Sequence, residues 1–130
     1  MADLAIPASH HDLVTSSVVA LSTLNEDGSI QTTAVWCLLG EDGVLRTSLA
    51  LARRKHENLK ARPTATVFAL SPTDPFHFLE IRATVTFEPD PDKSFISKLI
   101  ATYGQKLEEF PPAAEEREIV TFHPTRVRVS

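Results

Sequence analysis

The chain has one cysteine, Cys37, and only four glycines in 130 residues. A single thiol cannot close an internal disulfide, so a reducing compartment is expected. No apolar run approaches the length of a membrane-spanning helix. Residues 1–11 lack a basic stretch followed by a long apolar one and do not read as a signal peptide. Positive charge is also in short supply. Thirteen Lys and Arg face 17 Asp and Glu, for a formal net charge of -4. That argues against nucleic acid or an anionic membrane as a general partner, and the expectation is a cytoplasmic protein. There is no GxGxxG or GxxxxGK loop for a nucleotide, and no serine stands in a nucleophile-elbow pattern. No Cys or His cluster has zinc spacing, so no metal site is expected. His10 and His11 are adjacent near one end and diverge on a helix, which makes a poor metal pair. They read as surface residues, as does His56, and His123 has no visible partner.

What remains is an ordinary soluble composition, 42% hydrophobic and 23% charged, at a length that fits one domain, residues 1–130. Such a domain buries roughly two-thirds of the surface that its unfolded chain exposes. A short helix is expected over residues 8–16, with Leu13 and Val14 inward. Strands are expected over 17–23, 31–39 and 44–48, joined by Asp-Gly turns at Asp27-Gly28 and Asp42-Gly43. A loop and short helix fill 49–61, ended by Pro63. A fourth strand follows over 64–70. The fifth, 76–87, alternates most cleanly, with Leu79, Ile81, Ala83, Val85 and Phe87 on one face. An amphipathic helix is expected over 91–103, capped by Asp90 or Asp92 and ended by Gly104. Residues 105–115 read as a polar connection, and the final strand, 118–129, is interrupted by Pro124. The expected fold is mainly β, a six-stranded antiparallel barrel, closed or nearly so, with a few short peripheral helices.

The helix after the third strand begins oddly, with Arg53, Arg54 and Lys55. A helix start presents unpaired N–H groups and partial positive charge, so three cations there are mildly unfavourable. A bound anion reverses the sign, and a phosphate at a helix start is a recurrent arrangement. Thr47 and Ser48 are placed to add hydroxyl contacts. Charge alone leaves this reading beside a plainer one, a solvated basic stretch partly offset by Glu57, and slightly favours the plainer.

The run Thr47-Ser48, Arg54-Lys55, Asn58-Leu59 and Arg62-Pro63 resembles the signature of the pyridoxamine 5'-phosphate oxidase-like, flavin-binding split-barrel superfamily. Lys55 and Pro63 stand eight apart, as they do there. The hairpin from Asn25 to Trp36 is similar to one in that family. So are Glu80-Ile81-Arg82-Ala83, with alanine for the usual glycine, the helix of Ile96 to Gly104, and the closing segment Thr121 to Val129.

The resemblance implies an oxidoreductase working as a homodimer, with the cofactor between subunits and a small organic molecule as hydride donor or acceptor. The Arg-Arg-Lys cluster looks closer to the deazaflavin branch, so the implied cofactor is coenzyme F420 or FMN. Arg54 and Lys55 would hold its phosphate, with Arg53 assisting, and Thr47, Ser48 and Leu49 would line its path. Gln31, Thr33, Val35 and Trp36 lie on the strand implied to run beside the ring, with one parity facing it. His77 and Phe78 of the partner subunit would close the site. Trp36 reads either as core or as ring wall. Cys37 reads as packing. No further segment with the tryptophan and arginine residues of the vitamin B6 oxidases follows the last strand, so that activity is not expected. No acid–base pair stands out, which suits chemistry carried by a cofactor. The rival reading is a non-catalytic carrier of a flavin, deazaflavin or haem on the same scaffold.

Overall fold

A computed structural model describes residues 4–109 and 115–130. Seven antiparallel strands form one sheet: β1 (Val19–Leu24), β2 (Ile30–Val35), β3 (Cys37–Leu39), β4 (Leu45–Ala50), β5 (Thr64–Leu70), β6 (Phe78–Pro89) and β7 (Arg117–Val129). Three helices decorate it: α1 (His11–Thr15), α2 (Arg54–Ala61) and α3 (Ser94–Thr102). The turns at Gly28 (φ 88°) and Gly43 (φ 78°) need positive φ, which glycine adopts without steric cost. Beside each glycine an aspartate caps the turn: Asp27 accepts from the Ser29 amide, and Asp42 from the Val44 amide, both at 3.0 Å.

The strand order is β2-β1-β5-β6-β7-β4-β3. β2 and β3 are therefore opposite edges of the sheet, yet Trp36 alone separates them in the chain. One residue spans only about 3.5 Å, so the edges must lie side by side. The sheet curls into a barrel that is split at Trp36. This also accounts for seven strands where six are expected: the run 31–39 is one apolar stretch in sequence, but it changes edge at Trp36.

The expected alternation of β6 holds. Leu79, Ile81, Ala83 and Val85 are buried against Leu21, Val67, Val120 and Phe122. Burying each large apolar side chain contributes roughly 1.5–3 kcal/mol. Pro124 does not break β7. It pairs with Ala83, and the register shifts there by one residue, a bulge that accommodates a residue without an N–H.

Helix α2 turns His56, Asn58 and Leu59 inward. His56 is thus buried rather than on the surface, and its Nε2 meets Glu118 Oε1 at 2.7 Å. His10 is likewise buried, between Ser9 Oγ (2.7 Å) and the Ser130 carbonyl oxygen (2.9 Å). His11 bonds the Ile6 carbonyl oxygen at 2.9 Å, and His123 meets Thr86 Oγ1 at 2.7 Å. Both expected aspartates cap α3. Asp90 accepts from the Phe95 and Ile96 amides, and Asp92 from the Ser94 amide. Within the expected connection 105–115, Leu107–Glu109 forms a 3-10 turn, while 110–114 fall outside the described residues. Among the described residues no helix is long and apolar enough to cross a membrane.

Candidate functional site

A cleft of about 310 Å³ opens at the split. β2 and the crossing contribute Ala34, Val35 and Trp36, and β4 contributes Thr47 to Ala50. Ile96, Leu99 and Ile100 of α3 complete an apolar flank. Arg53 and Lys55 enter from the start of α2, and Arg117 from the start of β7. The volume lies at the small end of the range for ligand pockets.

Local structure sets each side chain. Thr47 Oγ1 donates to the Trp36 carbonyl oxygen at 2.6 Å, which pins the edge-to-edge crossing to β4. The Trp36 indole stacks on Tyr103 of the α3 end, with centroids 5.0 Å apart and planes 5° apart. The Tyr103 hydroxyl donates to the Cys37 carbonyl oxygen at 2.7 Å, so the stack is held at both ends. Ser48 is 7% exposed, and both its carbonyl oxygen (3.2 Å) and Oγ (3.3 Å) accept from Arg117 Nη1. Arg53 pairs with Glu115 at 3.5 Å, an exposed contact of little energy.

Electrostatically the cleft is one-sided. Among the described residues its lining holds three cations and no Asp, Glu, His or Cys. Burial lowers the Lys55 ammonium from its ordinary value, and the charges of Arg53 and Arg117 lower it further. Burial also lowers Arg117, against the pull of Glu115, though a guanidinium stays charged throughout. Both shifts mark cations held where an anion would stabilise them. On β2, Gln31 Oε1 and Thr33 Oγ1 are buried with no hydrogen-bond partner among the described residues, but neither residue lines the cleft.

The family model described as pyridoxamine 5'-phosphate oxidase matches residues 7–130. The chain belongs to that family. A solved F420 reductase is 30% identical, with a TM-score of 0.84 over 95% of this chain and 98% of its own. A putative pyridoxamine 5'-phosphate oxidase from Listeria innocua is 22% identical, with a TM-score of 0.67 over 90% of each chain. A haem-binding protein from Mycobacterium smegmatis shares the fold at 18% identity and a TM-score of 0.65, over 98% of this chain and 55% of that one. No curated protein matches the chain.

Of the residues that the family resemblance singles out, the structure brings seven to the cleft: Val35, Trp36, Thr47, Ser48, Leu49, Arg53 and Lys55. Arg54 is not among them. It lies with Gln31 beside Asn25, Glu26 and Asp27 in a separate open depression. Gln31, Thr33 and Val35 pair with Thr23, Leu21 and Val19, all buried, and so share the barrel's inner face, whereas the cleft takes Ala34 and Val35, one of each parity. His77 and Phe78 do not line their own chain's cleft. His77 meets Asp12 at 3.2 Å and packs on the His10 ring, and Phe78 packs on Phe68. Arg117 was not singled out. It sits in the run Glu115-Glu116-Arg117-Glu118, where a lone basic residue reads as a neutralised surface charge. The apolar face of α3 was legible, but nothing local says that it walls the cleft.

Proposed function

We propose that this chain is an oxidoreductase that binds a phosphate-bearing flavin or deazaflavin, FMN or coenzyme F420, in the cleft at the barrel split. The observation that carries it is the meeting of Arg53, Lys55, Arg117 and the Ser48 hydroxyl at one end of an otherwise apolar cleft. That donor set fits a phosphate, and the apolar flank of Trp36, Leu49 and α3 fits a ring system. The 30% identity to an F420 reductase supports the same reading. The bound group supplies the hydride donor or acceptor, and the other participant is a small organic molecule. The chain's own residues do the rest. Arg53 and Lys55 neutralise the phosphate, Thr47 and the Trp36–Tyr103 stack fix the wall, and the apolar flank excludes water. Among the described residues the cleft lining holds no Asp, Glu, His or Cys, which suits residues that bind and orient. We place the site at the interface of a homodimer, with His77 and Phe78 of the other copy closing it. A haem carrier is the rival: among the described residues this chain's own cleft lining offers no His, Cys, Met or Tyr, so an axial ligand would have to come from the other copy, as its His77 could.

The test is an absorption and fluorescence titration with FMN, coenzyme F420 and phosphate-free riboflavin. Saturable micromolar binding of one phosphate-bearing ligand, and weaker riboflavin binding, is expected. If neither phosphate-bearing ligand binds at micromolar concentration, the proposal fails. Reduction and reoxidation of the loaded protein by candidate quinones and unsaturated carbonyl compounds then separates an enzyme from a carrier. Sedimentation equilibrium checks the dimer.

A further inference from the structure

Arg117 enters the cleft from a different strand, 62 residues beyond Lys55 in the chain. Its Nη1 donates to Ser48 twice, at the carbonyl oxygen (3.2 Å) and at Oγ (3.3 Å). A serine hydroxyl has one proton and two lone pairs. When Oγ accepts from a guanidinium, its own proton is directed elsewhere, and Ser48 lines the cleft. The arrangement therefore turns Ser48 from a hydroxyl of undefined orientation into a donor.

Charge points the same way. The charges of Arg53 and Arg117 lower Lys55, and that of Arg53 lowers Arg117. Two carboxylates lie near enough to act on Arg117, Glu115 and Asp90. Both raise it, but burial together with the charge of Arg53 outweighs them. A partly buried cluster of like charges is unfavourable by itself and becomes favourable with an anion among them.

We propose that Arg117 is an anion-binding residue of this cleft and the positioning residue that aims the Ser48 hydroxyl at the anion, an assignment that rests on the phosphate-bearing ligand proposed above. The guanidinium fork and the hydroxyl then act as one unit with Lys55. They favour an end group that accepts several hydrogen bonds at once, such as a phosphate, over a neutral one.

The experiment measures dissociation constants for FMN and riboflavin with the full chain and with Lys55→Ala, Arg117→Gln, Arg117→Lys, Ser48→Ala and the Arg117→Gln/Ser48→Ala double variant. Coenzyme F420 is paired likewise with its phosphate-free deazaflavin chromophore. Circular dichroism establishes folding, and Arg117→Lys keeps a cation should Arg117→Gln fail to fold. Arg117→Gln is expected to weaken FMN by about 10- to 100-fold, the value of one charge-assisted contact, and to leave riboflavin within about threefold. Arg117→Lys is expected to fall between, because an ammonium restores charge but not the fork. Ser48→Ala should weaken FMN clearly in the native background and much less in the Arg117→Gln background, which marks a coupled pair. If Lys55→Ala loses FMN selectively and neither Arg117 variant does, the assignment of Arg117 is overturned and the phosphate reading stands. If the Ser48→Ala effect is the same in both backgrounds, the positioning role is overturned. If no variant separates FMN from riboflavin, the phosphate reading falls with it.

Discussion

Replacing Asn58 by alanine should be among the most damaging single changes to this fold. Asn58 is 1% exposed, on the inner side of α2. Its Nδ2 donates to Thr23 Oγ1 at 3.0 Å and to Asn25 Oδ1 at 2.9 Å, and its Oδ1 accepts from Arg62 Nη2 at 3.4 Å. The first two bonds tie the helix to the end of β1 and the turn after it. Each is worth about 1 kcal/mol net. Truncation also strips a partner from the Thr23 hydroxyl, itself 2% exposed. A buried polar group left without a partner adds about 1–3 kcal/mol. The sum is about 3–5 kcal/mol, out of a total stability of roughly 5–15 kcal/mol. Urea unfolding followed by circular dichroism measures it directly, as a lower midpoint at unchanged slope. Thr23→Val and the double variant complete a cycle, with an expected coupling of about 0.5–1.5 kcal/mol. A loss below about 0.5 kcal/mol for Asn58→Ala, the range of an ordinary surface change, would refute the claim that this network anchors α2.

Three further outcomes are expected. Lys55→Met should raise the melting temperature of the ligand-free protein while weakening FMN about 10- to 100-fold, because burial and two like charges oppose the ammonium until an anion arrives; paired thermal melts and titrations check it, and a destabilised ligand-free variant would count against it. Burial pushes the Glu118 carboxyl up, but hydrogen bonds and charge from His56 and Lys60 outweigh it and hold the carboxyl below its ordinary 4.5. Its stabilisation is therefore present above about pH 4.5 and fades as pH falls through the lower folded value, so Glu118→Gln should be destabilising at pH 7 and progressively less so as pH falls below 4.5, measured by urea unfolding across that range. Burial raises the Cys37 thiol to about 12, so iodoacetamide should leave it unmodified at pH 8 in the folded protein and alkylate it in 8 M urea, as read by mass spectrometry.

The strands were legible where two signals agreed. β6 shows period-two alternation, and β1–β2 and β3–β4 show Asp-Gly turns with the positive φ that those turns require. The break at Trp36 was not legible. Val35, Trp36 and Cys37 carry no glycine, proline or charge to mark it, and it exists because the chain changes edge, a fact about the whole sheet. His56 was misread for a related reason. Its partner Glu118 is 62 residues away, brought beside α2 by β7. His10, read as exposed, is buried against the Ser130 carbonyl oxygen, 120 residues away. Asn58 and Leu59 were seen as part of a family pattern, and the structure gives the pattern its physical content: both are buried, and both hold the helix that presents Lys55.

The basic triplet shows why spacing alone overstates a site. Successive residues on a helix project about 100° apart, so Arg54, Lys55 and His56 at the start of α2 cannot converge. They do not: Arg54 lies by the β1–β2 turn, Lys55 lies in the cleft, and His56 packs inward on Glu118. Arg53 reaches the cleft because it precedes the helix, with φ -89° and ψ 147°, and so escapes the helical rotation. Two cations are then the most that this stretch can deliver to one point. A phosphate offers three oxygens to donors, and further donors must come from elsewhere in the fold. β4 brings Ser48, and β7, paired with β4 through Ser48–Ile119 and Ala50–Arg117, brings Arg117 to the same edge. The three elements meet there because the barrel is split beside them. On this reasoning the site's charge was written in the triplet, but its convergence was written in the register of β4 on β7.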